Sequence, residues 1–374
     1  MVKLMPLFFV AFIGVFILIN IYINRRFFKK LHLSDKIKRY LNIFLYINII
    51  GIFLYVLGRY YIDFPNWLYF LVSLPIGILF LLFLSAVIYD ITRVGLDRIP
   101  MKKNRREFFK KSLDISSLGI AFAVSSRAIY EAKFIETQSV NIKISNLKKK
   151  YKIAQLSDIH IGGIVDKGFI KNIVERVNKL DPDIVVITGD LVDVEIPRAK
   201  EALNELKNLK NRYGIYFIVG NHEYFHNVDE IIEAVKNLGI RVLENENVYI
   251  GKYGHGFNLS GVYDVFGYRV DHHKPDLYKA LENIDKDSPT VLLAHQPRYV
   301  EYIHGGVDLV LSGHTHGGQL YPFKALVKLQ QPYISGLHQH NDKTQVYVNK
   351  GTGFWGPPMR LGATSEITEI TISG

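Results

Sequence analysis

A layered α/β domain preceded by an all-α transmembrane region is the fold class this sequence predicts, on three observations. Three long uncharged apolar runs crowd the first 90 positions; from Tyr151 onward short branched apolar runs alternate with stretches of helical period; and residues able to bind metal gather where the short runs stop. The 374 residues are enough for two domains, and the apolar excess lies in the N-terminal part. With no Cys, the chain can form neither disulfides nor thiolate metal sites. The net charge of +11 comes from the first 150 residues, in short blocks beside the apolar runs, while the remainder is net acidic. Such blocks mark membrane-proximal loops rather than a basic groove, so no nucleic-acid partner is expected.

The apolar runs cover residues 4–23, 41–57 and 67–89, each near the roughly 20 residues that cross a hydrocarbon core. Tyr60, Tyr61, Phe64 and Trp67 supply an interfacial aromatic belt between the second and third. Arg25, Arg26, Lys29, Lys30, Lys36, Lys38 and Arg39 follow the first run, and Arg93, Arg98, Lys102, Lys103, Arg105, Arg106, Lys110 and Lys111 follow the third. Positive-inside bias therefore places the N-terminus outside and both basic segments inside. Asn104-Arg105-Arg106-Glu107-Phe108-Phe109-Lys110, with the mildly apolar residues 115–124 behind it, resembles a twin-arginine export signal displaced from the N-terminus. Ala121-Phe122-Ala123 matches a small-residue cleavage site. The alternative is a basic juxtamembrane loop followed by an amphipathic helix on the bilayer. The expected domains are an anchor over residues 1–111, the export-like segment and linker over 112–138, and a catalytic domain over 139–374. Export puts that domain outside the cytoplasmic membrane.

Residues 152–156, 184–187, 215–219, 291–294 and 309–311 are short branched apolar runs of the kind that form buried strands. Residues 169–180, 198–209 and 228–238 read as helices between the early ones, and 248–263 and 345–372 as mainly β. At the ends of the strands stand Asp158-Ile159-His160, Gly189-Asp190, Gly220-Asn221-His222-Glu223, Ala294-His295 and Gly313-His314-Thr315-His316. Ligands of α/β sheets gather at such carboxyl ends, so the five clusters should converge. Gly189, Gly220 and Gly313 each precede a ligand, where a side chain would crowd the metals. In an extended Asp158-Ile159-His160 the first and third side chains share a face.

The ordered set DxH, GD, GNHE, H and GHxH resembles the calcineurin-like metallophosphoesterase superfamily over residues 151–374. Its bacterial membrane-associated branch is matched further by Ala294-His295-Gln296-Pro297, Gly317-Gly318-Gln319, Gly351-Thr352-Gly353 and Pro358-Met359-Arg360-Leu361-Gly362. The resemblance implies a four-layer αββα sandwich and two divalent cations. Asp158, His160, Asp190 and His316 would hold the first, and Asp190, Asn221, His295 and His314 the second, with Asp190 bridging. A mixed N/O set without thiolate suits Mn, Fe, Zn or Co, with manganese favoured. His222, adjacent to a ligand and diverging from it, is the candidate proton donor to the leaving oxygen, and Glu223 would orient His222 or a ligating histidine.

The chain thus reads as a membrane-anchored phosphohydrolase cleaving a phosphodiester or pyrophosphate by metal-activated hydroxide attack, on a substrate carried by a lipid or envelope component. One alternative is a cytoplasm-facing pyrophosphohydrolase of a nucleotide-activated lipid such as UDP-diacylglucosamine. Another is a catalytically silent metal-binding scaffold, against which the complete ligand set argues. His226, His255, His272, His273, His304, His338 and His340 match no ligand position and read as solvated loop residues, although His226 could line the pocket. The turn-rich residues 353–358 read either as a rim contacting lipid or substrate, or as a packed closing loop.

Overall fold

The computed structural model describes residues 5–374; Leu4, where the first apolar run begins, lies outside the described residues. The chain divides into two units, one running to Glu131 and including Gly356–Met359, the other comprising Ala132–Trp355 and Arg360–Gly374.

Among the described residues the first unit holds four α-helices: α1 (Met5–Tyr22), α2 (Asp35–Tyr60), α3 (Asn66–Arg98) and α4 (Lys103–Glu131). Among the described residues three helical stretches are long and apolar enough to cross a membrane: Phe9–Lys30, Asp35–Tyr60 and Asn66–Arg98. The 33 residues of α3 extend for about 50 Å, so its charged last turns reach past the apolar stretch. α4 is unbroken over 29 residues, which takes in the Arg105-Arg106 pair and the mildly apolar 115–124 in one element. It runs back along α3: Lys110 pairs with Asp97, the Tyr89 hydroxyl donates to Asp114 Oδ1 at 2.8 Å, and Ala121 shares a core cluster with Leu82 and Ala86. Asp114 is buried and also accepts from the His32 backbone N–H at 2.6 Å. Arg26 and Lys30 reach Asp90 at 2.6 and 2.8 Å. The basic segment after α1 and the end of α3 therefore meet at one end of the bundle.

The second unit is built on two six-stranded sheets. One contains β1 (Ile135–Lys143), β2 (Tyr151–Leu156), β3 (Ile184–Thr188), β4 (Ile215–Ile218), β5 (Arg241–Val242) and β12 (Ser365–Ser373), in the order β1-β12-β2-β3-β4-β5. The other contains β6 (Glu246–Ile250), β7 (Phe257–Gly261), β8 (Thr290–Leu293), β9 (Leu309–Ser312), β10 (Gly336–Gln339) and β11 (Gln345–Val348), in the order β10-β11-β9-β8-β7-β6. Their central strands are parallel and mostly buried on both faces, as strands covered on both sides must be. Ile153, Val186 and Ile218 of the first sheet pack against Leu259, Val291 and Leu311 of the second. On the outer face of the first sheet lie α5 (Lys167–Leu180), α6 (Ile196–Glu205) and α7 (Val228–Lys236), through residues such as Ile173, Leu203 and Ile231. Short helical segments carrying Ala280, Tyr299 and Val300 cover the other sheet. The layers are thus α, β, β, α, as the family resemblance implied. Not anticipated was β1, whose middle residues are mostly exposed; it is held by a nine-residue parallel register with β12.

Candidate metal centre

Each of the five motifs leaves a strand at its carboxyl end: β2 at Asp158, β3 at Asp190, β4 at Asn221, β8 at His295 and β9 at His314. The turns are tight. Asp158, His160, Asp190, His314 and His316 all have φ between 49 and 68°, a left-handed conformation that costs a side-chain-bearing residue about 1–3 kcal/mol. The expected extended geometry at Asp158-Ile159-His160 therefore gives way to two left-handed residues around Ile159, which is fully buried in the core. Both flanking side chains still enter the site. A Cβ on Gly220 would collide with the Asp190 carboxylate, and one on Gly313 with Asp158 Oδ2 and Ser157 Oγ, so close approach demands glycine at both.

Among the described residues two groups of donor atoms gather at the motif ligands, and a third joins His160 to Asp193 and His222. Asp158, His160 and His316 place ligand atoms within 4.8 Å of one another, as do Asp190, His295 and His314. In the first group His160 Nε2 and His316 Nε2 stand 3.0 Å apart, with His316 Nε2 3.5 Å from Asp158 Oδ1. In the second, His295 Nε2 lies 3.2 Å from both Asp190 Oδ2 and Asn221 Oδ1. Asp190 Oδ2 is also 3.9 Å from His160 Nε2, which puts this carboxylate between the groups. The Thr188 carbonyl, 2.7 Å from His295 Nδ1, can only accept, so Nδ1 carries the hydrogen and Nε2 is left to face the centre.

The electrostatics suit cations. Burial pushes Asp158 up, to about 6. Asp190 resists the same burial because the charges of His295 and His222 hold it well below the usual carboxylate range. Burial drives His314 down to about 3 and His316 well below its ordinary value, leaving neutral rings with free lone pairs. Asp158 and Asp190 are paired with imidazoles rather than with Lys or Arg. A buried set of carboxylates and imidazoles is the donor set divalent transition metals take.

His222 lies beside this set. Its backbone N–H donates to Asp190 Oδ1 at 2.8 Å, and its ring Nε2 is 3.9 Å from Asp190 Oδ2. The ring is held by Asp193, whose Oδ1 is 2.7 Å from Nδ1, and is walled by Phe225 and Trp355. Asp193 was missed in the sequence, though its position three residues after Asp190 in Gly189-Asp190-Leu191-Val192-Asp193 is the signal that could have found it. Glu223 accepts backbone N–H groups from Asp190, Leu191, Val192 and Gly220, so it shapes the loops that carry Asp190 and Asn221, while the carboxylate on the His222 ring is Asp193. Burial pushes Glu223 up, to about 7. His226 is buried, with Nε2 3.8 Å from Asp193. Asp229, His272 and His273 form a separate group on the surface. Trp355 stands at the edge of the site, and the buried Arg360 guanidinium donates to the Gly353, Gly351 and His316 carbonyls.

Residues 151–318 match the family model for calcineurin-like phosphoesterases. A Helicobacter pylori protein described as an uncharacterized metallophosphoesterase is 37% identical over 370 residues, covering 97% of each chain. A Campylobacter jejuni protein described in the same terms is 33% identical over 372 residues, 96% of each chain. A Bos taurus transmembrane protein with a metallophosphoesterase domain is 40% identical over 233 residues, 59% of this chain and 52% of that one. On the near full-length likeness to these bacterial proteins, and on motifs gathered at one end of two stacked sheets, the chain belongs to the calcineurin-like metallophosphoesterases.

Proposed function

We propose that the protein is a membrane-anchored phosphohydrolase with a dinuclear centre, cleaving a phosphodiester or pyrophosphate bond of a lipid or envelope component. The observation that carries this reading is the position of Asp190 between two groups of ligand atoms. Asp158, His160, Asp190 and His316 would hold one cation, and Asp190, Asn221, His295 and His314 the other, with manganese the favoured ion. Cations bound there would supply Lewis acidity for the phosphoryl oxygens and for a water nucleophile at neutral pH. The chain's own residues do the rest. His222, oriented through Nδ1 by Asp193, presents Nε2 to the centre and hands a proton to the leaving oxygen. Phe225 and Trp355 keep bulk water from that ring. The full chain in detergent is expected to hydrolyse an aryl phosphodiester only with Mn²⁺ or a similar ion; full turnover after exhaustive chelation would overturn the mechanism.

The anchor and its orientation belong to the same proposal. Large apolar side chains such as Val10, Leu18, Ile50, Leu71 and Ile88 stand exposed on α1 to α3, a surface that suits hydrocarbon rather than water. The pairing of Arg26 and Lys30 with Asp90 supports a common side for both basic segments, and the antiparallel course of α4 along α3 supports a return crossing. The catalytic unit then lies outside the cytoplasmic membrane, with Arg105-Arg106 read by a folded-protein exporter. An enzyme so tethered meets membrane-borne substrates at high local concentration. In spheroplasts the wild-type catalytic unit is expected to be open to added protease, and the R105K/R106K form protected. Protection of the wild type would reverse the orientation and favour a cytoplasmic nucleotide-activated lipid as substrate.

A further inference from the structure

Two of the histidines that match no ligand position in the motifs come together outside the metal centre. His272 and His273 follow the short helix Gly267–Val270, and Asp229 stands in the first turn of α7. In an extended chain successive side chains diverge, but Asp271 and His273 are left-handed, with φ of 56 and 45°, and the two imidazole rings lie 4.0 Å apart. Both present Nε2 to one carboxylate: that of His273 is 2.6 Å from Asp229 Oδ1, and that of His272 is 3.1 Å from Oδ2. The three donor atoms lie within 4.8 Å of one another, the closeness also found in each group at the metal centre. Among the described residues Asp229 pairs with these imidazoles and with no Lys or Arg.

The backbone under the two rings is fixed by the surrounding fold. The His273 carbonyl accepts from the Tyr224 hydroxyl at 2.7 Å, the Lys274 carbonyl accepts from Asn245 Nδ2 at 2.8 Å, and the His272 N–H donates to the Gly267 carbonyl at 3.2 Å. A Cβ on Gly267 would collide with the His272 and His273 carbonyls, so the turn closes this tightly over glycine alone. The His273 ring stacks on Tyr263 with centroids 4.6 Å apart, and the Tyr263 hydroxyl is tied to Glu244. His273 is thereby held with Nε2 toward the exposed Asp229. Two imidazoles and a carboxylate form a zinc-type set, whereas magnesium and calcium favour oxygen alone. Ligand atoms around a tetrahedral zinc stand about 3.3 Å apart, from bonds of about 2.0–2.1 Å. The His272 spacing fits that distance, and the His273 spacing opens slightly once an ion replaces the hydrogen bond. Each Nε2 then offers a lone pair, with the ring hydrogen on Nδ1.

We propose that Asp229, His272 and His273 hold a third divalent cation, of the zinc class, with water completing its shell, and that this ion clamps α7 to the 263–273 segment. That segment also carries Phe266, whose ring lies 5.7 Å from Tyr224 and 5.1 Å from Phe225, centroid to centroid. Tyr224 and Phe225 follow His222 closely in the chain, so the clamp steadies the loop that carries the His222 ring. The site depends neither on the reaction proposed above nor on the anchor.

The test uses the full chain in detergent carrying Asp190→Asn, with and without H272Q/H273Q, loaded with Zn²⁺ and washed free of loose ion. Elemental analysis is expected to find one zinc fewer per chain when both histidines are replaced. If Asp190→Asn keeps metal of its own, the count rises in both forms and the difference stands. At about a hundredfold above Kd, zinc should raise the unfolding midpoint of the parent by about 5–10 °C more than that of H272Q/H273Q. Mg²⁺ should produce no such difference. Asp229→Asn keeps both imidazoles and the shape of the carboxylate, and should lose the same extra rise, which covers the case of a histidine variant that folds poorly. Equal zinc content in the parent and H272Q/H273Q, or an equal zinc-dependent rise in the parent and its Asp229→Asn form, would overturn the site.

Discussion

Asp190→Asn is expected to strip the centre of tightly held metal and to lower turnover by at least about a thousandfold, some 4 kcal/mol of transition-state stabilisation. The residue is buried and both of its oxygens are engaged: Oδ1 accepts from the His222 backbone, and Oδ2 faces His295, His160 and His222. Asparagine preserves the shape but removes the charge that both donor groups share. The measurement is elemental analysis of the purified variant beside aryl phosphodiester turnover. A variant that kept both metal and rate would remove Asp190 from the bridging position.

His222→Ala should behave differently, with metal content nearly intact and turnover down by about 10²–10⁴, the usual range for losing a positioned proton donor. The deficit should shrink with a nitrophenolate leaving group, which needs little protonation, and grow with an alkoxide. Asp193→Asn should reproduce part of the loss, because the ring then loses the carboxylate that sets its tautomer. Metal loss in His222→Ala as complete as in Asp190→Asn would show that the histidine holds the centre together rather than serving the leaving group.

The parts of this molecule readable from sequence are those where side-chain pattern and backbone pattern coincide. β3 and β4 are almost wholly apolar and β2 largely so, which writes their burial in nearly consecutive residues, and the motifs could be placed at their ends. β1 could not be read, because Ile135–Lys143 is polar and mostly exposed, and what makes it a strand is a partner some 230 residues away. The seven metal-binding candidates were visible as residue types at motif spacing. Their backbone was not: the left-handed turns at Asp158, His160, Asp190, His314 and His316 arise from close packing of five loops, which no local pattern encodes. The bonds of Glu223 were likewise hidden, since they go to backbone N–H groups that carry no sequence signature.

The placement of β12 bears on the order in which the protein can assemble. This strand lies between β1 and β2, parallel to one and antiparallel to the other, so the first sheet stays split until Ser365–Ser373 has left the ribosome. Until then β1 has no neighbour and β2 shows an open edge to any passing strand. Pairings that span more than 200 residues also form slowly, since a long loop must close before any contact rewards it. Closure of the first sheet is therefore a late step, while the helices ahead of it emerge first and can settle while the rest of the chain is still being made.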